Sequence, residues 1–134
     1  MKKQTSNFGK IIIPVGVFPE RHELETVNVF AQLGKDIEFI KPRFIKGQKN
    51  PDIKMDGQVW EIKVPVGKSK RTIENNYRTA QLQSENVIFD IRRIKIDENL
   101  AISQIRQQSR VRTAKRLRRI KIIIKSGEIL DING

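Results

Sequence analysis

The chain is 134 residues long, enough for one domain around a single core and too short for a second of ordinary size. Lys and Arg outnumber Asp and Glu by 27 to 15, a net charge of +12 that points to a polyanionic partner, nucleic acid before an anionic membrane surface. The absence of cysteine excludes disulfides, thiolate-held zinc and thiol catalysis, and the lone His22 excludes a two-histidine ribonuclease mechanism, so any metal must be held by oxygen atoms, which favours Mg²⁺ or Mn²⁺.

No apolar run reaches the length of a membrane span and no signal-peptide core follows Met1, so the chain is expected to be soluble with a cytoplasmic site of action. Ile11-Ile12-Ile13 before Pro14 suits a short edge strand or an extended segment. From Pro19 the spacing of Leu24, Val27, Phe30 and Ala31 predicts a helix, with Gly34 where a C-terminal stop belongs. Glu23 falls within that apolar stripe and needs a partner, although the helix N-terminus would also stabilise an acid without a metal. His22 reads as a surface or N-terminal packing residue. A strand follows over 37–40, and then a loop over 41–50, where Pro42, Gly47 and four basic residues argue for exposed backbone.

Asp56-Gly57 is a strong signal for a two-residue hairpin turn. It pairs Met55 with Gln58, Lys54 with Val59 and Ile53 with Trp60, which sets Asp52 directly across from Glu61 with Cβ atoms roughly 5 Å apart. Lys63 points the same way by the period of a strand, and Trp60 points to the other face as a core residue. Opposed like charges destabilise a sheet, so the pair calls for a cation, most simply a divalent metal; the plainer alternative is a solvated hairpin face on which lysines neutralise two acids.

The segment 64–71 holds Pro65 and Gly67 and is expected to be a basic loop. Thr72 then caps a helix with Glu74 in its first turn and Ile73, Tyr77, Ala80 and Ser84 facing inward. Tyr77 reads as core, with base stacking or hydroxyl chemistry as its alternative. Residues 87–91 form an inner strand, Asp97 opens a long helix to about residue 117, and strands over 120–125 and 128–132 flank a two-residue turn at Ser126-Gly127, leaving an edge open to another chain. The stretch 92–125 carries twelve basic residues against Asp97 and Glu98 alone, more than pairing within a helix can neutralise. Arg110, Arg112, Lys115, Arg116 and Arg119, with Lys68, Lys70 and Arg71 of the basic loop, are therefore read as a phosphate-binding surface; a solvated helix face is the alternative.

The order helix, strand, strand, strand, helix, strand over about 20–92, with Pro51-Asp52, Glu61-Ile62-Lys63 and Glu23 on the leading helix, resembles the PD-(D/E)xK nuclease superfamily. The fuller run from Asn50 to Arg93, with Trp60-Glu61-Ile62-Lys63, the basic loop, Gln83-Ser84, Asn86 and Asp90, is similar to the C-terminal tRNA-nuclease domains of contact-dependent growth-inhibition toxins. The resemblance implies a single α/β (α+β) domain spanning 1–134, with a restriction-endonuclease-like αβββαβ core and mixed sheet, extended by the basic helix and C-terminal hairpin at about 97–132. It implies that Asp52, Glu61, the Ile62 carbonyl and Glu23 hold Mg²⁺ (or Mn²⁺), that Lys63 orients or activates water, and that Gln83, on the helix after the hairpin, assists. It also implies tRNA or another structured RNA as substrate and an acidic immunity protein as partner. Such domains close very large proteins, whereas this chain begins at Met1, so it is expected either to stand alone or to be an excised piece.

Three functions are compatible with the residues. The first is a metal-dependent nuclease acting on RNA. The second is a metal-independent ribonuclease of the barnase and relaxase-toxin-like kind, in which Lys63, Arg71, Thr72 and Tyr77 act on the 2′-hydroxyl and phosphate. The third is a non-catalytic nucleic-acid-binding accessory protein of a mobile element or phage, for which the basic surface alone suffices. No helix-turn-helix or zinc finger supports sequence-specific DNA readout.

Overall fold

Seven strands of the described chain lie in one sheet in the order of the sequence, β1-β2-β3-β4-β5-β6-β7. The computed structural model describes residues 8–111 and 117–133. β1 (Ile11–Ile12) runs parallel to β2 (Ile37–Phe39); β2, β3 (Ile53–Met55) and β4 (Gln58–Lys63) form an antiparallel meander; β5 (Asn86–Asp90) and β6 (Arg119–Ile123) continue parallel to β4; and β7 (Ile129–Asn133) closes antiparallel to β6. The described helices are α1 (Arg21–Gln32), α2 (Thr72–Ala80) and α3 (Glu98–Val111). None is long and apolar enough to cross a membrane.

The helices cover opposite faces of the sheet. Val27, Phe30 and Ala31 of α1 pack on Trp60, Ile62 and Ile88, whereas Ile73, Tyr77 and Ala80 of α2 and Ala101 and Ile105 of α3 pack on Val87, Phe89, Ile120 and Ile122. Every residue of β5 is buried, including the polar Asn86 and Asp90 that flank its apolar centre, as a strand between two parallel neighbours and two covered faces must be. Removing side chains such as Phe30 or Phe89 from water stabilises the fold by about 1.5–3 kcal/mol each.

The local signals act largely as the residue types dictate. Gly34 takes φ 89°, open to glycine without a Cβ penalty, and α1 ends there with Gly34 N–H donating to the Ala31 carbonyl and Lys35 N–H to that of Phe30, both at 3.0 Å. Asp56 and Gly57 take φ 54° and 74°, the pair of left-handed residues a tight hairpin needs. The β3–β4 register is Ile53 with Trp60, Lys54 with Val59 and Met55 with Gln58, as expected.

α3 is described to Val111, and the rest of the helix expected to about residue 117 lies outside the described residues. Three expectations are corrected. The N-cap of α2 is Arg71, not Thr72, which is already the first helical residue. Gln83 lies in the turn after α2, its N–H donating to the Ala80 carbonyl at 2.9 Å. The last hairpin does not turn on two residues: Ile124 N–H still donates to the Glu128 carbonyl, at 3.0 Å, so Lys125, Ser126 and Gly127 form the loop.

Candidate active site

Extrapolating the hairpin register past Ile53 would make Asp52 and Glu61 direct partners, but the ladder slips there. Asp52 N–H donates to the Trp60 carbonyl at 3.0 Å, one residue short of Glu61, so the strand bulges at Asp52. Ile62 N–H turns instead to the Asp52 side chain, donating to Oδ2 at 2.7 Å. The bulge thus swings the carboxylate onto β4, close enough to the Glu61 side chain for the two acids to influence each other's ionisation.

Glu61 is only 7% exposed. Burial first, and then the charge of Asp52, push its carboxyl up to about 9, so the pair retains a proton at neutral pH in the absence of a cation. Asp52 is also raised, chiefly by burial and against the opposing pull of the Ile62 N–H. Lys63 Nζ lies 3.7 Å from Glu61 Oε2 and pulls the other way without reversing the effect of burial. Glu61 Oε1 is buried with no hydrogen-bond partner, an orphaned acceptor of the kind that a cation or donor satisfies. Among the described residues no three His, Cys, Asp or Glu side chains gather closely enough to hold an ion together.

Glu23 stands in the first turn of α1 and interacts electrostatically with both Asp52 and Glu61. One of its oxygens accepts the Glu20 N–H at 2.9 Å, and partial burial raises its pKa. Gln83 reaches the same neighbourhood: its Oε1 accepts the Asn50 N–H at 2.8 Å, two residues before Asp52. Tyr77 is wholly buried and stacked on Phe89 with centroids 5.9 Å apart, a core position out of reach of a substrate.

Of the described basic residues, Arg119 stands apart from the acid pair. Lys68, Lys70 and Arg71 are exposed on the loop that leaves β4 just after Lys63. Arg110 is exposed in the last turn of α3, while Arg112, Lys115 and Arg116 lie outside the described residues. Register places Glu61, Val87 and Ile120 in one row and Asn86 with Arg119 in the preceding one, that of Trp60. Adjacent rows face opposite ways, so Arg119 projects from the side of the sheet away from Glu61 and Lys63. It lines a separate cavity of about 300 Å³ with Trp60, Lys121 and Asp131.

At the carboxyl ends of β4 and β5 a cleft of about 400 Å³ is lined by His22, Glu25, Asn28, Val64, Asp90, Arg92 and Arg93. One wall is fixed by a network that the sequence reading missed. Asp90 accepts Thr26 Oγ1–H at 2.6 Å and Arg92 through Nε and a terminal nitrogen at 2.9 and 2.7 Å, and the same guanidinium donates to the Glu25 carbonyl at 3.2 Å. Burial alone would raise the Asp90 carboxyl, but the hydrogen bonds from Arg92 and Thr26 outweigh it and hold it below the usual range. The only hint in the sequence is an acid closing an apolar strand with an arginine two residues on.

Comparison with known proteins gives two matches. Residues 49–129 match the family model for the contact-dependent growth inhibition CdiA C-terminal domain. The fold is similar to a chain of the CdiA-CT/CdiI toxin and immunity complex from Burkholderia pseudomallei, with a TM-score of 0.66 and 18% identity, over 94% of this chain and 100% of that one. No curated protein matches the chain.

Proposed function

Because this chain belongs to the contact-dependent growth inhibition CdiA C-terminal domains, a toxin family whose members are typically nucleases, we propose that it is a metal-dependent nuclease of the PD-(D/E)xK kind that hydrolyses RNA, with tRNA as the first candidate substrate. The observation that carries this reading is the Asp52–Glu61 pair: a half-buried and a buried carboxyl group brought together by a bulge, the buried one with an orphaned oxygen, beside an ammonium. A structural pair has no need of that arrangement, which is costly without a cation.

Asp52, Glu61 and the Ile62 carbonyl would hold Mg²⁺, a set that suits an ion bound through one or two carboxylates and completed by water and substrate phosphate. When bound, Mg²⁺ supplies positive charge to the scissile phosphate and lowers the pKa of the water beside it. The Ile62 N–H keeps Asp52 against β4. Lys63 presents its ammonium to the attacking water or to the charge that develops on the phosphate. Glu23 adds negative potential that favours the cation, and Gln83, its carbonyl engaged by Asn50, offers its amide N–H groups to water or substrate. Lys68, Lys70 and Arg71 hold the phosphate backbone. Action is cytoplasmic, and an acidic immunity protein is the expected inhibitor, since a charge of +12 steers a negatively charged partner.

The test is incubation with total tRNA, other RNA and plasmid DNA in Mg²⁺, Mn²⁺ or EDTA, alongside Asp52→Asn, Glu61→Gln and Lys63→Ala. Cleavage that needs metal and disappears in all three variants is expected. Activity that persists in EDTA would establish the metal-independent reading, and silence on every substrate the non-catalytic one.

A further inference from the structure

The loop over 41–50 carries Lys41, Arg43, Lys46 and Lys49 and no acid. Among the described residues none of these four forms an ion pair, unlike Lys35, Arg71, Arg118 and Lys121, each of which meets a carboxylate. Between the charges stands Phe44, 94% exposed, with Ile45 also exposed. An aromatic ring held fully in water has no folding role to account for it.

The loop is shaped rather than slack. Arg43 N–H donates to Asn50 Oδ1 at 2.9 Å, Gln48 N–H to the Ile45 carbonyl at 3.0 Å, and Asn50 N–H to Gln83 at 2.8 Å. Its last residue is therefore pinned two positions before Asp52, at the rim of the acid pair. A second exposed aromatic lies on the neighbouring segment: Phe18 is 90% exposed, and a Cβ placed on Gly16 would come 3.6 Å from Lys41 Nζ, so the segment 14–18 passes beside the start of the loop.

Cations without partners interleaved with exposed rings are the chemistry of single-stranded nucleic acid binding, in which backbone phosphates meet the charges and bases stack on the rings. We propose that the loop 41–50 reads an unpaired stretch of RNA next to the scissile phosphate, with Phe44 stacked on a base and Arg43, Lys46 and Lys49 on the flanking phosphates. This rests on the nuclease reading for the position of the scissile bond, though not for the binding itself. It gives the enzyme a preference for loops and single-stranded ends over continuous duplex, because a paired base offers no free face to Phe44.

The experiment measures anisotropy of a fluorescein-labelled single-stranded RNA of mixed sequence and of its duplex, in EDTA so that no turnover intervenes and the outcome stands apart from that of the cleavage test. Phe44→Ala is expected to weaken single-strand affinity about tenfold and to leave duplex affinity and the melting temperature unchanged. Phe44→Trp should keep the affinity, with its indole fluorescence quenched as RNA is added. Lys46→Ala and Lys49→Ala should each reduce the dependence of log affinity on log salt by about 0.7. Unchanged single-strand affinity in Phe44→Ala, or an indole indifferent to RNA, overturns the proposal, and is the result expected if the loop instead docks an acidic protein.

Discussion

The Ile62 N–H and the Asp52 carboxylate, ten positions apart in the chain, are joined at 2.7 Å, and this bond replaces a rung of the β3–β4 ladder. An acid that substitutes for a backbone carbonyl is fixed in direction more firmly than one on a regular strand. Asp52→Asn can rotate its amide to keep the bond through oxygen. It should fold with a near-parental melting temperature while metal-dependent cleavage falls roughly a hundredfold or more, and Lys63→Ala should lose a comparable amount. Circular dichroism melts alongside tRNA cleavage check the split.

Glu61 gives the fold a pH dependence with a definite sign. Its carboxyl is raised, from 4.5 to about 9, so its contribution to stability is complete below the lower value and is lost as pH rises through the upper one. In EDTA the melting temperature of the parent protein should fall relative to that of Glu61→Gln as pH rises across this window. Added Mg²⁺ should reverse the trend, binding more tightly with rising pH because the ion displaces a proton.

Asp90 behaves in the opposite way. Its pKa is lowered, so its stabilisation is present above the ordinary aspartate range and is lost as pH falls through the folded value. Arg92→Ala leaves a buried carboxylate with only the Thr26 hydroxyl and the backbone N–H of residue 92 as donors and should cost about 2–3 kcal/mol at neutral pH, against about 0–1 for removing Lys35 from its exposed pairing with Asp56. Urea denaturation of the two variants measures the difference.

Gly57 sits at φ 74° with nothing within 4 Å of where a Cβ would stand, so Gly57→Ala meets backbone strain and no clash. A loss of about 1 kcal/mol is expected, with folded-state activity largely retained because the register is also fixed by Ile53 and Trp60 in the core. Thermal melts and cleavage by the folded fraction test this.

Arg119 faces away from the acid pair, so Arg119→Ala should leave cleavage unchanged, whereas Lys68→Ala and Arg71→Ala should raise KM and flatten its salt dependence. Equal effects from all three would show that the substrate wraps around the sheet.

What could be read from the chain follows the range of the forces involved. The Asp56-Gly57 turn and the apolar stripe of α1 are local, and local chemistry carries them. The bulge at Asp52 is not, because it depends on which acceptor Ile62 N–H finds. Thr26 is no part of the apolar stripe that predicts its helix, yet it is buried against Asp90 across 64 residues, a distance no periodicity spans. The side on which Arg119 emerges depends on the pairing of β5 with β6, two strands from the hairpin, which nearness in sequence to other arginines does not reveal. Phe44 was legible only as part of an exposed loop, since its isolation, like that of Phe18, becomes visible once Phe30, Phe39, Trp60, Tyr77 and Phe89 have found places in the core.

The sequential strand order has a consequence for assembly. Each strand adds to an edge already formed by the one before it, and none must be inserted between two that are already joined. A chain released in extended form can therefore rebuild this sheet progressively from either end, like a zip, with each closure spanning only the stretch between neighbouring strands.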